Sequence, residues 1–200
     1  MTGRMKRPQG VAIVTGAAGG MGSACARRLV AEGWSRLLLT DLSAERLEAV
    51  ARDLRSEGAE VDILVGDIAE AGWAGALVSA LGEQQISALI HTAGLSPRMA
   101  DPARILAVNL DATVRLVEAV RERMATGSAA VLFASNSSYF PLPPEAATAF
   151  SRPLPEGGAL ALLHFAPDSQ TAYPLSKLGV RALVKREARR FGERGSRLVS

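Results

Sequence analysis

The chain has little of what several kinds of protein require. Its single cysteine, Cys25, cannot form an internal disulfide, which excludes a disulfide-stapled scaffold and fits a cytoplasmic setting. Its two histidines, His91 and His164, stand far apart with no Cys/His cluster, so no metal site is expected. Aromatic residues make up only 4%, too few to build a platform for stacked nucleic-acid bases. The positive excess is small, +3, and its arginines are spread along helical stretches beside glutamates, the pattern of a solvated helix face. No apolar run approaches the roughly 20 residues that cross a bilayer. The basic start, MTGRMKRPQG, is not followed by the apolar core of a signal peptide. No nucleic-acid or membrane partner is therefore expected.

What is present suits one α/β domain over residues 1–200. Hydrophobic residues are 48% and charged residues 22%, ordinary for a globular chain with a sizeable core. Strand-like and helix-like segments alternate, which predicts a doubly wound parallel sheet covered by helices on both faces. The predicted strands are 11–15, 36–40, 60–65, 87–92, 129–135 and 196–199. The predicted helices are 20–32, 43–57, 70–81, 102–126 and 168–192. Residues 140–168 are rich in proline and read as a loop or short helical flap, not as a linker.

Two constellations carry chemistry. The first follows the apolar strand Val11–Val14, where TGAAGGMG leads into a helical stretch. Gly16, Gly20 and Gly22 lie on the turn from strand to helix. Residues without a Cβ let that turn bend and let a pyrophosphate approach the backbone, where the helix N-terminus favours an anion. Ala18, Gly19 and Met21 complete the turn. Asp41 follows the second strand, 19 residues beyond Gly22. Its carboxylate suits the hydroxyls of an adenosine ribose and repels a 2′-phosphate. Ser43 is placed to cap the next helix, which leaves Asp41 freer for the ribose. No basic residue occupies Ala17, Ala18 or Leu42, so NAD is favoured over NADP.

The second constellation is Tyr173 and Lys177, four apart in YPLSK. Removing hydride from an alcohol carbon requires the hydroxyl proton to leave as well. A free phenol titrates near pH 10 and is a poor base at neutrality. An ammonium one helical turn away favours the phenolate. Pro174 is expected in the first helical turn, where a missing N–H costs little.

With these motifs in order, the chain resembles the short-chain dehydrogenase/reductases over nearly its whole length. The resemblance rests on Thr15, Gly16, Gly20 and Gly22, on Asp41, on Asp67 in GDI, on Ala93-Gly94 in HTAG, on Asn109 in VNL, on Ser135 after VLFA, and on Tyr173 with Lys177. It implies a Rossmann fold and hydride transfer between a nicotinamide cofactor and a secondary alcohol or ketone. Asp67 and Ile68 would meet the adenine, and Leu42, Ala93 and Gly94 would also touch the cofactor. Tyr173 would be the acid/base. Lys177 would also hold the nicotinamide ribose, Ser135 would orient the substrate oxygen, and Asn109 would position a relay water. Ser137 is the runner-up to Ser135. The resemblance also implies a homodimer or homotetramer through helices 102–126 and 168–192. Their apolar Leu110, Val114, Leu178 and Leu183 exceed what one sheet face needs.

Three departures stand out. His91 and Thr92 replace the two asparagines expected before Ala-Gly, so the sheet must be braced differently. Ser135 and Tyr173 are 38 residues apart, farther than in most members. A similar insertion occurs in the branch of bacterial 3α-hydroxysteroid dehydrogenase/carbonyl reductases, which suggests a hydrophobic substrate. The family's last strand, substrate loop and C-terminal helices are expected after GSRLVS, so the chain reads as C-terminally truncated. The alternative function is a nucleotide-binding protein with little or no turnover.

Overall fold

A computed structural model describes residues 8–155 and 157–200. The start of the basic N-terminal stretch, residues 1–7, lies outside them. Six strands form one parallel sheet: β1 (Val11–Thr15), β2 (Arg36–Asp41), β3 (Glu60–Val65), β4 (Ile86–His91), β5 (Met124–Leu132) and β6 (Arg197–Val199). Their order is β3-β2-β1-β4-β5-β6. After β3 the chain returns to the other side of β1, which pairs with both β2 and β4. A ligand crevice forms where the strand order reverses, outside the carboxyl ends of β1 and β4.

The helices follow from their apolar spacing and caps. Helix α1 (Gly20–Ala31) and α2 (Ala44–Ser56) cover one sheet face, burying Ala26, Leu47, Ala51 and Leu54 against Ala12, Val14, Leu37 and Leu39. Ser43 caps α2, accepting from the N–H of Arg46. On the other face lie α3 (Trp73–Leu81) and α5 (Ala112–Arg121), with Leu77, Leu116 and Val120 against Ile13, Leu38 and Leu89. The long helix α7 (Ser169–Gly192) shares that layer through Val180, Leu183 and Phe191. Glu187 on α7 is buried and held by Arg121, Arg186 and Arg190, which ties α7 to α5.

Several boundaries differ from the sequence-based ones. The helix expected over 102–126 is three pieces: α4 (Pro102–Leu106), a π-helical turn (Ala107–Asp111) and α5. It ends at Arg121 because Met124 already pairs with Ile86, so β5 begins five residues early. β5 also ends at Leu132, which leaves Ser135 past the strand. Helix α3 starts at Trp73, after a turn in which Asp67 takes the N–H of Ala69. Pro174 does not fall in the first turn: α7 starts at Ser169, capped by Asp168, so the proline sits in the second turn. It therefore lacks the N–H that would close on the carbonyl of Gln170. The proline-rich segment is a flap made of α6 (Pro144–Ala149) and a 3₁₀ stretch, Gly158–Phe165. Phe150, Ala159 and Leu162 of the flap pack on Ile105, Leu106, Leu110 and Leu175. Among the described residues no helix is long and apolar enough to cross a membrane.

Candidate active site

The sheet brings every carboxyl strand end to one rim, and the site is built there. From β1 the chain turns through Gly16, at φ 67°, into α1. A Cβ on Gly22 would lie 2.1 Å from the Gly16 carbonyl oxygen, so the turn closes only with glycine at both places. Gly20 differs: a Cβ there would meet nothing within 4 Å. Its bareness is not demanded by the chain's own packing and instead keeps the adjacent cleft open. No side chain caps the N-terminus of α1, and no acidic residue lies in its first turn. The resulting cleft, about 380 Å³, is lined by Gly16, Gly19, Gly20, Met21 and Gly22. An uncapped helix N-terminus over a bare backbone fits the pyrophosphate of a dinucleotide.

The far rim of the cleft holds Asp41, Leu42, Asp67 and Ile68. Asp41 is less free than expected: its carboxylate takes the N–H of Ala18 at 3.0 Å and of Ser43 at 3.3 Å. An ionised carboxylate has about four acceptor sites, so two remain for ribose hydroxyls. Ala18 does not line the cleft; it is clasped behind it. Asp67 pairs with Arg104 at 2.5 Å. Arg104, and Arg46 on α2, also line the cleft and were not singled out from the sequence. Both lie outside the motif positions, and only the folding of α2 and α4 brings them in.

His91 supplies the brace that replaces the asparagine turn. Its Nδ1 meets Thr15 Oγ1 at 2.7 Å and its Nε2 meets Thr113 Oγ1 at 2.9 Å. Thr113 donates its hydroxyl to the Asn109 carbonyl, so Nε2 must carry the proton and donate to Thr113. Nδ1 then accepts from Thr15, whose oxygen also receives the N–H of Ala93. Thr92 donates to the Thr15 carbonyl at 2.8 Å. Burial, and secondarily the Lys177 ammonium, hold the imidazole down at about 3. His91 is thus a neutral strut from β1 through β4 to α5.

Asn109 stands in the π-helical turn. Its side chain accepts from the Leu95 N–H at 2.7 Å and donates to the Leu95 carbonyl and to Ser176. Asn109 Oδ1 and Lys177 Nζ both flank Gly94: a methyl there would lie 3.1 and 3.7 Å from them. Lys177 donates to the Phe133 carbonyl at 2.7 Å, and burial pulls its ammonium down to about 8. It lies 5.8 Å from the centre of the Tyr173 ring. The Tyr173 hydroxyl has no hydrogen-bond partner among the described residues. Ser135 caps the short turn Asn136–Tyr139. Its oxygen accepts from the backbone N–H and the hydroxyl of Ser137, which leaves its own proton to donate outward.

The cleft itself reaches Ala93 and Gly94 but not Ser135, Tyr173 or Lys177. Lys177 stands behind Gly94, while Ser135 lines a separate, more open cleft of about 390 Å³ beside Tyr139 and Arg181. Gly94 is thus the seam between the nucleotide cleft and the Lys177 ammonium.

Residues 10–147 match the short chain dehydrogenase family. The D-threitol dehydrogenase of Mycolicibacterium smegmatis is 32% identical over 94% of this chain, which spans 66% of that relative's length. A short chain dehydrogenase from Mycobacterium smegmatis superposes with a TM-score of 0.74 at 24% identity, covering 98% of this chain and 76% of that one. A metagenomic short-chain oxidoreductase, solved in complex with NADP, gives 0.67 at 24% identity, covering 95% and 80%. Both structural likenesses are likenesses of fold. The family match takes in the glycine turn, Asp41, Asp67, Asn109 and Ser135, while Tyr173 and Lys177 lie beyond it. On this match and this fold, the chain belongs to the short chain dehydrogenase family.

Proposed function

We propose that the protein is a nicotinamide-dependent oxidoreductase acting on a secondary alcohol or the corresponding ketone, with Tyr173 as the acid/base. One observation carries this reading: Lys177 is buried behind Gly94, between the glycine-turn cleft and the Phe133 carbonyl that leads to Ser135. A buried lysine with no carboxylate partner is costly and is kept where a cation has work to do.

Gly16 to Gly22 and the α1 N-terminus would hold the pyrophosphate, and Asp41 the adenosine ribose. When bound, the nicotinamide ring takes up or gives the hydride. In alcohol oxidation Ser135 donates to the substrate oxygen and orients it, and Tyr173 takes the hydroxyl proton. In ketone reduction the proton moves the other way. Lys177, cationic at neutral pH, steadies the phenolate. His91 acts at one remove: through Thr113 it steadies the backbone of Asn109, whose side chain flanks Gly94 together with Lys177.

Asp41 supports NAD, although a neighbour of the same fold was solved with NADP. A relative that acts on D-threitol makes a polyol one candidate substrate, and the apolar flap suggests a hydrophobic alcohol or ketone. A homodimer or homotetramer in the cytoplasm completes the proposal. The apolar argument for assembly has narrowed, because Leu110 and Leu183 are already covered within one copy. Val114 and Leu178, half-buried, remain available.

The test is a panel of polyols, hydrophobic alcohols and ketones, followed by nicotinamide absorbance. Tyr173→Phe should lower turnover at least ~10²-fold while dinucleotide affinity stays within a few-fold, since only the hydroxyl is lost. A Phe variant keeping more than about a tenth of the parent rate overturns the assignment. Binding without turnover across the panel favours the alternative, a nucleotide-binding protein.

A further inference from the structure

The short turn after β5 has Ser135 as its cap at one end and Tyr139 at the other. The Tyr139 ring is 72% exposed and carries a guanidinium on its face, the Arg181 carbon lying 3.8 Å from the ring centre. A cation this close to a ring is held by the ring's quadrupole. Arg181 stands on α7 one turn beyond Lys177 and lines the same cleft as Ser135 and Ser138. Its Nη1 reaches the carbonyl and the hydroxyl of Ser138 at 3.4 and 3.3 Å, both long. The Ser138 hydroxyl in turn donates to the Ser135 carbonyl at 2.6 Å. Among the described residues no acceptor engages Nε or Nη2 of Arg181, and no carboxylate pairs with it. Farther along α7, Arg186 and Arg190 are answered by Glu187, and Arg189 by Glu193. Among the described residues no acidic side chain and no second cation lines this cleft.

A guanidinium stacked on a ring and pinned through one nitrogen is held in place with its other edge bare. The Nε–Nη2 edge offers two parallel donors, which match the two oxygens of a carboxylate. Because the stack already restrains the side chain, less freedom is lost when an anion docks. One cation answers one negative charge, so a carboxylate fits better than a phosphate dianion. Only Ser138 separates the guanidinium from Ser135, which puts such a charge a few carbons from the reacting oxygen. We propose that Arg181 is the carboxylate subsite of this protein, and that its substrate is a short hydroxy acid or the corresponding oxo acid. This rests on the oxidoreductase reading given above and names its substrate class. In oxidation the alcohol carbon gives its hydride to the nicotinamide and the hydroxyl gives its proton to Tyr173, which leaves the oxo acid. The carboxylate itself is unchanged.

Calorimetric titration of the NAD⁺-saturated protein tests it with two probes, 3-oxobutanoate and its methyl ester. They share one ketone, and only the first carries a charge. With cofactor and ketone both oxidised, no turnover disturbs the heat. The parent should bind the acid at least about tenfold more tightly than the ester, the equivalent of one charge-assisted hydrogen bond. Arg181→Met keeps an apolar stem against Tyr139 and removes the fork. Acid and ester should then bind within about threefold of each other, the charge-assisted bonds being gone. Arg181→Lys should keep part of the preference, because the charge stays and the fork goes. Added salt should weaken the acid more than the ester in the parent. NAD⁺ affinity near the parent's shows that a variant is folded, and Arg181→Gln replaces the Met variant if it is not. An acid no tighter than the ester in the parent, or a preference that survives Arg181→Met, overturns the carboxylate subsite and leaves the oxidoreductase reading standing. Failure of the parent to bind NAD⁺ overturns the dinucleotide reading and the subsite with it.

Discussion

Acidification should weaken this protein through one residue, His91. The perturbation is a drop from pH 7.5 to pH 5. In the unfolded chain an imidazole takes a proton near pH 6.5. In the folded chain burial keeps the His91 ring neutral down to about 3. Its folded pKa is lowered, so the unfolded state binds the extra proton throughout the window between. Stability present above pH 6.5 is therefore lost as pH falls from 6.5 toward 3, at about 1.4 kcal/mol per pH unit. At pH 5 the loss is roughly 2 kcal/mol, a large part of a typical domain's 5–15 kcal/mol. Protonation would also break the strut, because a charged imidazole cannot accept from Thr15. The assay is urea unfolding of the parent and of His91→Asn at both pH values. Carboxylates titrate alike in the two proteins, so the difference isolates His91. The variant should lose about 2 kcal/mol less than the parent on acidification. With only two histidines in the chain, proton NMR gives an independent readout: the His91 ring signals should not move between pH 5 and 8. Equal acid losses in both proteins, or a His91 ring that titrates within that range, would refute the reasoning.

Two further predictions follow from the same rim. Gly22→Ala puts a methyl 2.1 Å from the Gly16 carbonyl, a backbone clash that must open the turn. It should cost about 1–3 kcal/mol and weaken dinucleotide binding, whereas Gly20→Ala should leave the melting temperature close to the parent's. Equal effects of the two in thermal melts would count against the described turn. Lys177→Met should stabilise the protein at pH 7 while abolishing activity. The lowered lysine pKa means that its burial cost is full below about pH 8 and fades as pH rises toward 10.5. The gain should be about 2 kcal/mol at pH 7, allowing for the lost hydrogen bond to Phe133, and smaller at pH 10. A gain independent of pH would show that the ammonium is not the source.

The parts legible in the sequence were those specified by local order. Val11 to Gly22 declares strand, turn and helix through apolar run, glycines and spacing, and Ser43 declares its cap. The brace was not legible, because His91 finds Thr15 and Thr113 across 76 and 22 residues. Nothing local announces that a histidine on a strand will meet two hydroxyls. Arg46 escaped for a similar reason: its motif neighbourhood is an ordinary helix start, and only the approach of α2 to Ala18 turns it inward. The boundary between α5 and β5 was misjudged because Met124 and Ala125 continue the helical apolar period. Pairing of Met124 with Ile86 overrides that period. Pro174 was expected in the first turn, where its missing N–H costs least, but the Asp168 cap starts α7 at Ser169 and makes the proline its sixth residue.

The two faces of the sheet have unequal histories along the chain. Among the described residues, the core on the α1–α2 side is assembled from residues between Ala12 and Ile63, joined only by Ala88 and Ile90 of β4. The core on the other side recruits from Val11 to Leu198. Chain closure costs entropy that grows with the length of loop closed, and contacts between distant residues slow folding. The first half can therefore gather most of one layer while the rest of the chain is still being synthesised. The central pairing of Ala12 with Ala88 must wait for its partner strand. The pyrophosphate turn, which leans on Ala93 through Gly16, is completed only at that docking step. A dinucleotide present during synthesis would thus meet no finished site until the halves join, and its binding would then act as a clasp across the seam.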